Sequence, residues 1–469
     1  MKTQTSLLLV TLLTVSTSFA GAADSQSNWP QWRGPLARGL APDATPPREW
    51  SETNNIRWKV AVPGSGSATP VIWGDQVFVL TAIQKSKPAE AKPVEAKVPE
   101  AKPAETKPVE STNAPATGSG PTGRRQGGRS RSETPTDSFE FVVLCLDRKT
   151  GKTVWQKTAC ESVPHEAHHG DHGYASASPI TDGKHVLAYF GSRGLYCYDM
   201  KGNLKWSKDF GDMRTRNTFG EGSSPALHGN TVIVNWDDET DNDFIVALNK
   251  ETGDELWRKP RSEGTGWATP LIVEHDGKAQ IVVNATGKVR SYDLKSGDEI
   301  WSCSGQTANA IPSAVSDKGI LIVMSGFRGA AIRAIKLGGT GDLDGTESIL
   351  WKHDKNTPYV PSPLLVNDLL YFVSGNNGML SCFNATNGTA HYEAERLEGI
   401  FGIYASPVAA AGHVYVLGRD GTCLVLKQGA KLEVVSRNTL ADKTDASIAI
   451  AGKELFIRGH KSLYCIAAE

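Results

Sequence analysis

Short apolar runs recur along the chain from about residue 55 to its end, each closed by a polar turn. VIWGDQVFVL, ALHGNTVIVN and LLVNDLLYFV show the form: two short β-branched or aromatic runs flank a pair drawn from Gly, Asn and Asp. Runs this short, with glycine or asparagine between them, read as β-hairpins. A small residue followed by proline opens most of these segments, at Pro70, Pro179, Pro225, Pro270, Pro312, Pro363 and Pro407, with Ile448 in the proline slot of the last. The spacing is roughly 45 residues, the size of one four-stranded propeller blade.

Each unit continues into a third run that ends small–large–Asp or Asn, then a glycine turn, then a tryptophan. DRKTGKTVW (Asp147 to Trp155), DMKGNLKW (Asp199 to Trp206), NKETGDELW (Asn249 to Trp257) and DLKSGDEIW (Asp293 to Trp301) are near-copies. The glycine supplies the positive φ of a tight turn, and the pattern predicts a fourth strand that ends at the indole. Trp155, Trp206, Trp257, Trp301 and Trp351 hold this slot, Tyr392 fills it less fully, and Val435 is its weakest occupant. A large indole at a fixed offset is suited to filling the gap between neighbouring blades. The eighth unit reaches the end of the sequence before its fourth strand. NNIRWKV supplies the missing strand near the other end, with Trp58 in the same slot. Closing a ring with strands from both ends removes exposed sheet edges. The expected fold is all-β: an eight-bladed β-propeller over 55–469, closed by an N-terminal strand.

These repeats resemble the pyrroloquinoline-quinone-type (PQQ-like) propeller repeat, found in quinoprotein alcohol dehydrogenases and in the propeller of the outer-membrane protein assembly factor. The leader NWPQWRGP followed by PGSGSATPVIWGDQVFVL is similar to that of exported bacterial PQQ-like propellers. The resemblance implies either a ligand- or protein-binding scaffold or, as the alternative, an oxidoreductase using PQQ and calcium. Redox-active relatives carry a vicinal Cys-Cys pair and a Glu/Asn/Asp calcium set. No two of the seven cysteines here are adjacent, and no CxxCH haem site is present. That departure favours a non-catalytic scaffold with no cofactor.

The cysteine positions argue against disulfides. Cys145, Cys197, Cys382 and Cys465 share one slot, just before the large residue of the third strand, where other units place Ala247, Ser291, Ala334 or Val425. Equivalent positions in different blades lie too far apart for a disulfide, so free, packed thiols are expected. Cys160, Cys303 and Cys423 fall outside that slot, with no CxxC spacing.

Lys2, the apolar run Leu7 to Val15 and the small residues Ala20 to Ala23 form a signal peptide at 1–22, so the chain is expected in the periplasm or secreted. A leader occupies 23–54. The formal net charge of -1 gives no field to recruit nucleic acid, and no later segment is apolar enough to span a membrane. From 85 to 138 the first unit is interrupted by a Lys/Pro/Glu/Ala tract and an Arg/Gly/Ser-rich tract, an expected disordered spacer between the second and third strands. A monomer is expected.

Candidate chemistry gathers in loops on one face, those entering the first strands and those joining second to third. HEAHHGDHGY offers His165, His168, His169, Asp171 and His172 as a metal set. A ring of channel-face residues follows: Arg214, Arg216, Asn217, Trp236, Asp237, Trp267, Asn284, Gln306, Arg328, Tyr359, Asn376, Arg419 and Arg458. Arginines, amides and aromatics of this kind suit an envelope protein, a peptide, or an anionic or carbohydrate-like ligand. No GxSxG, HExxH or P-loop pattern occurs, and no catalytic residue is assigned.

Overall fold

The computed structural model describes residues 27–85 and 135–468. The signal peptide read at 1–22 and all but the ends of the insertion read at 85–138 lie outside the described residues. Eight antiparallel sheets follow one another along the chain, and each core strand set is four strong. The first blade holds Val71–Trp73, Gln76–Gln84, Phe139–Asp147 and Thr153–Ser162, so the insertion leaves from a hairpin between second and third strands. The eighth blade takes Ala449–Ala451, Glu454–Arg458 and Ser462–Ala467, then closes on Ile56–Ala61. Trp58 stands opposite Cys465 in that antiparallel pair. The ring is closed as the repeat pattern requires. Among the described residues no helix is long and apolar enough to cross a membrane.

The repeated phrase now has a geometric cause. In each of five interfaces the indole of one blade lies flat on the turn glycine of the next. A Cβ on Gly151 would meet Trp58 at 2.7 Å, and one on Gly202, Gly253 and Gly388 would meet Trp155, Trp206 and Trp351 at the same distance. On Gly297 it would meet Trp257 at 2.5 Å. The indole N–H of each donates to the carbonyl just after the turn's Asp or Asn: Trp58 to Arg148, Trp155 to Met200, Trp206 to Lys250, Trp257 to Leu294 and Trp351 to Ala385, at 2.8–3.0 Å. The Asp or Asn side chain in turn accepts backbone N–H groups of its own turn, as Asp293 does from Lys295 and Ser296. One short motif therefore builds a turn and a socket together.

Across the same strand pair the indole faces the small slot. Cys145 is opposite Trp155, Cys197 opposite Trp206, Ala247 opposite Trp257, Ser291 opposite Trp301 and Ala334 opposite Trp351, each beside a β-bulge. A bulky residue there would collide with the ring. All seven cysteines are free thiols.

Three sequence expectations change. The tryptophan stands near the start of the fourth strand, not at its end: Thr153–Ser162 runs well past Trp155, because the indole must sit beside the turn it packs on. In the fifth unit Pro312 is not in the proline slot. Ser313 makes the hydrogen bonds typical of the residue before that slot, so Ala314 holds it. In the seventh blade Val435 is the bulged residue, and Ser436 stands opposite Val425. The missing indole comes from the leader, where buried Trp50 stacks on Tyr415 at 6.5 Å. Trp301 is also a variant: it donates to Gln280 Oε1, and Gly341–Asp342 of the fifth blade's long connection pairs beside it.

Replacing Gly253 by alanine should lower the unfolding midpoint more than replacing Gly277. Both have φ near +75°, but a Cβ at Gly277 has nothing within 4 Å. Gly277→Ala should cost about 1–2 kcal/mol for the left-handed backbone, and Gly253→Ala about 1–3 kcal/mol more for displacing the indole. Equal losses in parallel denaturant melts would deny the socket its role. Thiol titration of unfolded, unreduced protein should count all seven cysteines. The native protein should react slowly at neutral pH, because burial pushes the thiols of Cys145, Cys197, Cys382 and Cys465 up to about 12; a count below seven would reveal a bridge.

Candidate functional site

The first strands of the blades meet around the axis, and the residue before the proline slot is Ser or Thr in every blade. From the first blade round to the eighth, the backbone N–H of each donates to the hydroxyl oxygen of the matching residue one blade later. The chain of bonds runs from Thr69 N to Ser178, Ser178 N to Ser224, Ser224 N to Thr269, and Thr269 N to Ser313. It continues from Ser313 N to Ser362, Ser362 N to Ser406, and Ser406 N to Ser447, all at 2.8–3.1 Å. This belt satisfies backbone donors that the converging strands would otherwise bury unpaired.

Above the belt is a cavity of about 470 Å³. Aromatic rings from several blades line it: Phe219, Trp267, Phe327, Tyr359 and Tyr404. Phe327 and Tyr359 stack with centroids 5.0 Å apart. At the far end lies Trp32 of the leader. The leader crosses the axis there: Pro30 accepts from Thr181 N in the second blade, while Arg33 donates to Pro363 and Pro407 carbonyls before the sixth and seventh. Leu40–Ala41 then pairs in parallel with the innermost strand of the seventh blade. The leader makes a blind pocket out of a channel.

The histidine-rich loop reaches across the open mouth. Asp171 accepts from Arg419 at 2.8 Å and from the Tyr404 hydroxyl at 3.0 Å. Arg419 also binds Asp445 at 2.6 Å and lies over the Tyr404 ring at 3.9 Å. The hydrogen bond from Arg419 holds the Asp171 carboxyl below the usual carboxylate range. Burial opposes the charge on Arg419, but its bonds to Asp445 and Asp171 raise its affinity for the proton overall. His169, Asp171 and His172 all line the cavity.

The five residues expected as a metal set point to different partners. His165 Nε2 meets the Met213 carbonyl at 2.6 Å, His168 packs edge-on against Tyr174, and His169 edge-on against Phe219. His172 Nδ1 accepts from Gly173 N at 2.8 Å, and burial pushes its imidazole down to about 4. Among the described residues no group of three or more His, Cys, Asp and Glu converges as a metal site.

Of the channel-face ring, Trp267 and Tyr359 line the cavity, and Arg419 braces its mouth. The others lie elsewhere. Arg214 and Asn217 are exposed on a neighbouring loop, and Arg216 is held there by its backbone N–H on Thr265. Trp236 stacks on Phe244 in the third blade's core. Asp237 forms a fully buried ion pair with Arg261 at 2.9 Å. Asn284 ties the Pro312 and Met324 carbonyls together, and Gln306 is buried. Asn376 accepts from Val360 N, exposed Arg328 lies over Phe327, and buried Arg458 donates to the Leu80 carbonyl. Burial pushes the Arg458 guanidinium down to about 9. Beside the main cavity a cleft of about 40 Å³ holds Glu221, which accepts from Ser192 N and Oγ; burial pushes its carboxyl up to about 8.

Sequence reasoning missed Trp32, Phe219, Phe327, Tyr404, Asp445 and the hydroxyl belt. The belt had a visible signal, the Ser or Thr ahead of nearly every repeat proline.

Comparison with known proteins agrees with this architecture. Residues 140–390 match the family described as "Outer membrane protein assembly factor BamB". Two curated proteins of that name match over 218 residues: 25% identical in Shigella dysenteriae serotype 1 (strain Sd197) and 24% in Escherichia coli (strain K12). Each match spans 45% of this chain and 51% of the relative, so the chain spans about half the length of the curated relatives it matches. Among solved structures, BamB from Moraxella catarrhalis is similar with a TM-score of 0.52 and 14% identity, covering 69% of this chain and 91% of that one. Quinohemoprotein alcohol dehydrogenase from Comamonas testosteroni is similar with a TM-score of 0.59 and 9% identity, covering 95% and 83%. At those identities the two structures share the fold alone. With more than half of its residues inside the family match, the chain belongs to the PQQ-like β-propeller family described by that assembly factor.

Proposed function

We propose that this protein is an exported, non-catalytic propeller that holds a protein or peptide partner in the cell envelope. The observation that carries this reading is the aromatic rim of the open mouth. Phe401 is 76% exposed, three residues before Tyr404, and Arg396 lies over its ring. An exposed aromatic beside an arginine is the composition of a protein-binding hot spot rather than of inert surface. The family's assembly-factor description supports a partner of the same compartment.

The residues of the cavity argue against the quinone alternative. PQQ is a planar tricarboxylate, and the lining contains no lysine or arginine but does contain Asp171 and Asp445. Both carboxylates are already bound by Arg419, which leaves no free acidic set for calcium. The residues present do not fit that group.

A photo-crosslinking amino acid at position 401 in cells that make this protein should yield an adduct with one envelope protein, identified by mass spectrometry. The same group at Leu256, 51% exposed on an outer strand, should not. Equal labelling at both positions, or no protein adduct at 401, would reject the rim as the binding surface.

A further inference from the structure

The cavity behind the rim has a chemistry of its own. Its lining carries no lysine or arginine, and all four oxygens of its two carboxylates are engaged: Asp171 by Arg419 and the Tyr404 hydroxyl, Asp445 by Arg419 and by His460 at 2.8 Å. An anionic ligand would find no free cation in the lining, and a cationic ligand would have to displace Arg419. A neutral ligand is what remains.

Apart from His169, His172 and the two carboxylates, the polar side chains facing that ligand are hydroxyls, with the phenol groups of Tyr359 and Tyr404 and the indole N–H groups of Trp32 and Trp267 on the aromatic rings. Ser178, Ser224, Thr269, Ser406 and Ser447 line the cavity, and each oxygen already accepts a backbone N–H. Each therefore offers a donor hydrogen to anything placed at the belt. A purely hydrocarbon ligand would leave these donors unmatched at a cost. Around and above them are the rings of Trp267, Tyr404 and the stacked Phe327–Tyr359 pair, with Trp32 of the leader also in the lining. Flat rings demand a ligand with apolar faces, and a ring of donors demands oxygen acceptors at its edges. A pyranose meets both conditions, with C–H groups on its faces and hydroxyl and ring oxygens around its rim.

We propose that the axial cavity binds the end of a neutral oligosaccharide, with sugar faces on Trp267 and Tyr359 and sugar oxygens on the serine belt. The volume of about 470 Å³ lies inside the range of small-molecule sites, and the leader's closure at Trp32 makes it a site for a chain terminus rather than a through-channel. The inference goes beyond the protein-partner reading and does not depend on it, since it concerns the cavity and not the rim.

The test is a titration of the intact protein, followed by tryptophan fluorescence and calorimetry, with maltotetraose, cellotetraose and N-acetylated chitotetraose. An oligogalacturonate and a short neutral phenylalanine-containing peptide serve as competitors. Saturable binding of at least one neutral glycan is expected, with a Kd raised about tenfold or more by Tyr359→Ala and by Tyr359→Leu. Leu256→Ala, on an outer strand, should leave that Kd unchanged. Melting midpoints of the variants, measured alongside, separate lost binding from lost folding, and the Leu variant keeps the bulk should Ala unfold the loop. Absence of binding by all three glycans, tighter binding of the oligogalacturonate, or binding of the peptide alone would each overturn the proposal. None of those results would bear on the envelope adduct at position 401.

Discussion

The contact between a tryptophan and the bare backbone of a neighbouring glycine is what the rest of this molecule rests on. A four-stranded sheet of such short strands cannot bury both faces by itself, and its stability comes from the blades on either side. Here the face-to-face packing is supplemented at the ring's outer part by an indole that plugs into the next blade's turn and donates one hydrogen bond there. The contact sets both the distance and the rotation between blades, because the glycine admits the ring at only one height. Gly202, Gly253 and Gly297 serve both the turn and the socket, which is why the motif tolerates changes between its opening Asp or Asn and the glycine but keeps those two positions and the indole.

The interior of the ring is organised differently. At the belt the first strands converge, and their backbone N–H groups point toward the next blade. Serine and threonine hydroxyls satisfy them blade to blade. Outer sockets and inner belt together fix the loops at the mouth, so that residues far apart in sequence meet at fixed distances. Asp171 and Arg419 are 248 positions apart and 2.8 Å apart in space. A rigid ring holding variable loops is the usual arrangement by which a common fold acquires a particular site.

What the sequence made legible follows from which contacts stay inside one repeat. The hairpins, the turn glycines, the small slot opposite the indole and the closing strand at Trp58 all depend on local patterns, and all were readable. The cavity was not. Whether a polar residue in a propeller loop points to the axis or into a blade depends on neighbours from other units. Trp236, Asp237, Asn284 and Arg458 turned inward to pack, to pair or to tie carbonyls, while Phe219 and Phe327 were passed over as ordinary loop residues. His172 was read as a ligand because of its spacing, yet its ring bonds back onto its own loop. The fifth and seventh units show the other limit. A proline two positions early at Pro312, and a serine in place of an indole at Ser436, shifted the alignment where the repeat had been rewritten and the leader had taken over with Trp50.

The pairing of Ile56–Ala61 with Ser462–Ala467 also has a consequence in time. During synthesis the earlier strand emerges first and has no partner until almost the whole remaining chain has been made. Seven blades can begin to assemble as they appear, but the eighth cannot, and an unpaired strand with an exposed tryptophan is the kind of edge that associates with other chains. The lifetime of that unpaired strand is therefore set by the rate at which the rest of the chain is made, and the segment around Trp58 is where protection from other chains matters most.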